Sequence, residues 1–107
     1  MSKESQSDNS TTDFDKSVWV FNAPNKGLPG GIFENLNLAE KWITKNRLTG
    51  TLTRYPVNQG TLDWAIQNNM VNMKPEKLKA KVEDPNFIGD FTTASMEHYH
   101  YENGCKD

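Results

Sequence analysis

The sequence predicts an α+β domain, a small and mainly antiparallel sheet with two helices packed on one face, in the order β-β-α-β-α-β-β. Three observations carry that reading. Short β-branched and aromatic runs recur along the chain, turn-forming clusters separate them, and two stretches repeat apolar residues at helical spacing.

Each element follows from its residues. Val18, Trp19, Val20 and Phe21 form an unbroken apolar run, which suits an interior strand covered on both faces. Residues 22–31 are dense in Asn, Pro and Gly, and Ile32 with Phe33 forms a short second strand across that turn. Asn37 reads as a helix N-cap with Glu40 in capping-box position, and Leu38, Ala39, Trp42 and Ile43 fall on one face of the helix that follows. Glu40, Lys41, Thr44 and Lys45 are then expected to face water. A third strand spans 51–55, where Thr, Leu, Thr, Arg and Tyr alternate before Pro56. Thr61 is the expected cap of a second helix, with Asp63 in its positive first turn and Leu62, Ala65, Ile66 and Met70 on its apolar stripe. Residues 74–81 hold four lysines and read as a mobile surface loop. Residues 87–91 and 97–101 read as two closing strands, with 102–104 as the exit turn.

Residues 1–17 contain seven Ser or Thr, and Met1 and Phe14 are their only large apolar side chains. Such a segment cannot bury enough area to offset about 1 to 2 kcal/mol of backbone ordering per residue, so a disordered tail is expected. The domain is then 18–104, with a C-terminal tail at 105–107. A formal charge of −2 disfavours attraction to phosphate backbones, so no nucleic-acid partner is expected. No apolar run approaches the roughly 18 to 20 residues of a membrane-spanning helix, and no membrane partner is expected either. The N-terminus lacks a basic start and an apolar signal core, and the lone Cys105 cannot pair within the chain; both features point to a cytoplasmic setting.

The segments VWVFN, GGIF, LTGTLTRYPV, DWAI and FTTASMEHYHYENG resemble a family of small bacterial domains of unknown function. The resemblance covers about residues 18–104. It implies a defined domain and brings no activity, cofactor or catalytic residue with it.

His98 and His100 lie two apart on an expected strand, so both imidazoles share one face at a spacing usable by zinc or a similar ion. They are the candidate metal ligands, although Asp90, Glu97 and Glu102, the only further ligands nominated, lack diagnostic spacing. Ser95, Glu97 and His98 hold the residue types of a nucleophilic triad, but nearness in sequence does not assemble one, and no nucleophile elbow is present. The glycine-rich stretch 27–31 lacks the ending of a phosphate-binding loop and leads into a strand. Trp42 belongs to an apolar helical stripe, whereas Trp64 falls off its own and is the preferred aromatic of a binding surface, with Asp63 beside it.

These readings converge on a non-enzymatic protein-interaction module, regulatory or immunity-like, binding another protein through Trp64, Asp63, His98 and His100 and needing no cofactor. A metal or small-ligand site centred on His98 and His100, open to catalysis, is the alternative.

Overall fold

The computed structural model describes residues 16–107. Most of the expected tail, residues 1–15, lies outside the described residues, and Ser17 already opens the first strand. The elements run β1 (Ser17–Asn22), β2 (Gly31–Phe33), α1 (Leu36–Lys45), β3 (Gly50–Pro56), α2 (Thr61–Gln67), α3 (Pro75–Lys81), α4 (Pro85–Asp90), β4 (His98–Glu102) and β5 (Cys105–Lys106). The described chain falls into two compact units, one made of 16–58 with 96–107 and the other of 59–95.

The first unit is a five-stranded sheet in the order β2-β1-β3-β4-β5, antiparallel at every pairing. The expected α+β class and antiparallel sheet are therefore present. Alternation divides the strands cleanly. Trp19 and Phe21 on β1, Leu52 on β3 and Tyr101 on β4 are buried together with Ala39 and Ile43 of α1, while Phe33, Leu36, Trp42, Leu48 and Tyr99 pack against that core. The edge of Phe21 meets Trp42 at 5.5 Å between ring centres, and Phe33 lies 5.2 Å from the same indole. The other face carries Val18 and Val20, Thr51 and Thr53, and His98 and His100.

Local chemistry explains where expectation and structure part. Helix α1 is capped by Asn35, not Asn37: its Oδ1 accepts the Leu38 N–H at 3.2 Å. The earlier start lets Leu36 join the core, leaves Leu38 57% exposed, and frees Glu40 from any capping role. The β4–β5 link is the larger correction. Asn103 and Gly104 both have positive φ, and Glu102 faces Cys105 across them, the geometry of a two-residue type I′ hairpin. Residues 105–106, expected as a tail, are thereby returned onto the sheet as an edge strand.

The second unit is helical, bringing the helix total to four among the described residues where two were expected. Helix α2 begins one residue earlier than expected: Gly60, not Thr61, is its N-cap, and it caps without a side-chain bond. The lysine-rich 74–81 forms α3 and the expected strand 87–91 lies largely in α4. Each opens on a proline, Pro75 or Pro85, whose fixed φ and missing N–H suit a first helical turn. Asp84 caps α4 by accepting the Asn86 N–H at 3.0 Å, and Phe87 and Phe91, four apart, bring their rings to 5.7 Å.

Candidate functional site

Strand β4 places most of the chemistry-bearing side chains, and its pleat sorts them. His98 and His100 point to the face away from α1, opposite Thr53 and Thr51. His98 is half-buried and His100 exposed. Their ring centres are 5.2 Å apart, edge to face. The Nδ1 of His98 bonds the Met96 carbonyl at 2.7 Å, and that of His100 meets Thr51 Oγ1 at 3.3 Å. His100 also lines a shallow depression of about 440 Å³ with Asn22, Thr49, Thr51, Glu102 and Asp107. Among the described residues no group of three or more His, Cys, Asp or Glu side chains is gathered as metal ligands.

Tyr99 and Tyr101 point to the α1 face and enter a polar cluster that sequence reasoning missed. Tyr101 donates its phenol to Glu40 Oε2 at 2.6 Å, and Lys106 Nζ reaches the same oxygen at 2.7 Å. That ammonium also sits 4.2 Å from the centre of the Tyr99 ring, which stacks on Trp19. Tyr99 in turn donates to Glu97 Oε2, whose other oxygen accepts from Arg54 Nη1 at 3.3 Å, and Arg54 Nε donates to Ser17 at 2.7 Å. The Asn-Gly hairpin was the signal that could have revealed the cluster, because it sets Lys106 opposite Tyr101.

The electrostatics of the cluster are those of a clamp. Bonds from Lys106 and then Tyr101 hold the Glu40 carboxyl below its usual range, against a smaller effect of burial. The Tyr99 bond does the same for Glu97, with Arg54 adding to it. Burial first, and the Glu40 carboxylate second, push the Tyr101 phenol well above its ordinary range. Near neutral pH both carboxylates are ionised and engaged and both phenols keep their protons, so the cluster fixes strands to helix and has no proton in transit.

The other expected sites separate. Glu97 is engaged by Tyr99 and Arg54 while His98 is bonded to a carbonyl, so the acid and imidazole of the suggested triad do not join. Gly31, in the suggested phosphate loop, is needed for packing: a Cβ there would lie 2.9 Å from the Phe33 ring and 3.2 Å from Trp42. Asp63 and Trp64 belong to α2 in the second unit, Asp63 exposed and Trp64 half-buried. The Asp63 carboxylate lies over Gly60, a Cβ at which would be 3.0 Å from Oδ2; an acid at a helix start is stabilising there without any ligand.

Residues 18–107 match a family described as a domain of unknown function, DUF7710. The chain belongs to this family. The DUF7710 match begins at Val18, inside β1, and reaches Asp107, so it takes in β5 and the hairpin as well as both units. No curated protein and no solved structure matches the chain. No helix among the described residues is long and apolar enough to cross a membrane.

Proposed function

We propose that this DUF7710 chain is a non-catalytic protein-interaction module, regulatory or immunity-like in role, acting in the bacterial cytoplasm. The observation that carries the reading is the β2 edge of the sheet. Among the described residues β2 is the outermost strand on its side, with Ile32 62% exposed on it and Leu28 83% exposed in the turn that precedes it. An edge strand that carries exposed apolar side chains is suited to an extended segment of another protein, which adds main-chain bonds and seats an apolar side chain. The Glu40 and Glu97 clamp supports the non-catalytic half of the reading, since it holds its own titratable groups in internal bonds. The exposed, unpaired Cys105 suits a reducing compartment.

The test uses the full chain as bait in extracts of its source cell, beside a Leu28→Asp/Ile32→Asp variant of the same fold by circular dichroism. The expected result is a stoichiometric protein that the wild type retains and the variant releases. Retention by both, or a folded wild-type bait that binds nothing, overturns the proposal.

A further inference from the structure

We propose, beyond the interaction role and independently of it, that His98 and His100 form a two-nitrogen chelate for a borderline divalent transition-metal ion, with copper(II) preferred over zinc(II). Residues two apart on a strand have Cα atoms about 6.6 Å apart, yet the two ring centres stand at 5.2 Å, so the rings lean together. Two imidazoles that each bond one ion through nitrogen at about 2 Å have ring centres about 5 Å apart. The hydrogen bonds select the donor atoms. A carbonyl only accepts, so the bond to Met96 puts the hydrogen of His98 on Nδ1 and the lone pair on Nε2. Thr51 Oγ1 meets Nδ1 of His100 at 3.3 Å, and since a hydroxyl can donate or accept, it engages that nitrogen in either tautomer and leaves Nε2 as the ring's unengaged nitrogen. A ligating imidazole whose second nitrogen is held by a carbonyl or hydroxyl is the usual outer arrangement of a metal site.

Exposure of His100 gives the ion access from solvent. With no third side-chain ligand gathered among the described residues, the remaining positions are taken by water, which makes this an open surface chelate and not a closed structural site. Two neutral nitrogen donors rank copper(II) above nickel(II) and zinc(II) by the general order of divalent affinities.

The chain has only these two histidines, which makes the test sharp. Full-length protein carrying Cys105→Ser, so that the exposed thiol does not compete, is titrated with copper(II) chloride and followed by electron paramagnetic resonance and a binding isotherm. The expected result is one ion per chain with hyperfine coupling to two imidazole nitrogens. His100→Ala weakens binding about tenfold or more, and Thr51→Val, which keeps the ring but loses its hydroxyl partner, weakens it severalfold. His100 is exposed, so its removal leaves the sheet folded and that variant alone is decisive. Undiminished affinity in His100→Ala, or a spectrum with fewer than two imidazole nitrogens, overturns the proposal.

Discussion

Tyr101 and Glu40 are separated by 61 positions in sequence and meet at 2.6 Å, the phenol of β4 donating to the carboxylate of α1. Tyr101 is only 4% exposed, so its ring is fixed in the core while its hydroxyl reaches the part-buried Glu40. A hydrogen bond to a charged acceptor contributes about 1.5 to 3 kcal/mol. Tyr101→Phe is expected to lower unfolding free energy by about 2 kcal/mol in urea titration, with the ring still packed. An unchanged midpoint would show that the bond does not hold the helix to the sheet.

The same pair sets the response to acid. Glu40 is held below its ordinary value of 4.5, so its contribution is present in full above that value and disappears as pH falls through the lower, folded value. Tyr101 is displaced the other way, so its contribution is present below about pH 10 and is lost only as alkali ionises the buried phenol. Between about pH 5 and pH 10 neither group adds slope. Wild type should therefore lose more stability than Glu40→Gln between about pH 5 and pH 3. Parallel acid limbs in thermal melts of the two proteins would remove this assignment.

Gly50 opens β3 where β1 passes closely. A Cβ there would stand 2.3 Å from the Asn22 carbonyl oxygen and 2.6 Å from the Phe21 ring, whereas at Gly27 it would meet nothing within 4 Å. Gly50→Ala should cost about 3 kcal/mol through displaced backbone. Gly27→Ala should be near neutral. Similar denaturation midpoints for the two variants would contradict the close approach.

Leu52 and Ile43 are the largest fully buried side chains among the described residues, one on the sheet and one on α1. Leu52→Ala should lower stability by about 3 kcal/mol, lost transfer energy plus an imperfectly closed cavity. A loss below about 1 kcal/mol would mean that the core collapses into the gap.

Sequence reasoning worked where periodicity was strong and failed where a residue had two meanings. The α1 stripe at Ala39 and Ile43 and the alternation of β4 were legible, because one buried face imposes its period on the chain. β1 is the interior strand its apolar run implies, but only Trp19 and Phe21 are buried on it while Val18 and Val20 stay half-buried, so the expected cover on both faces is not complete. The four lysines misled at α3 and the aromatic content of 87–91 at α4, where Pro75 and Pro85 each begin a helix. At Asn103-Gly104 the turn was recognised but not its type, so the strand beyond it was missed. The His98 and His100 face followed from spacing alone. The clamp did not, since Glu40 meets Tyr101 and Lys106 only after the sheet has set its register, and the capping role read for Glu40 hid it.

Strands β3 and β4 are hydrogen-bonded neighbours, with Arg54 N–H donating to the Glu97 carbonyl at 2.9 Å, yet residues 59–95 are spelled out between them. The helical segment thus leaves and re-enters the sheet at a single doorway. Its length is not fixed by the strand pairing on either side, because the register of β3 against β4 is set by residues 50–53 and 98–101 alone.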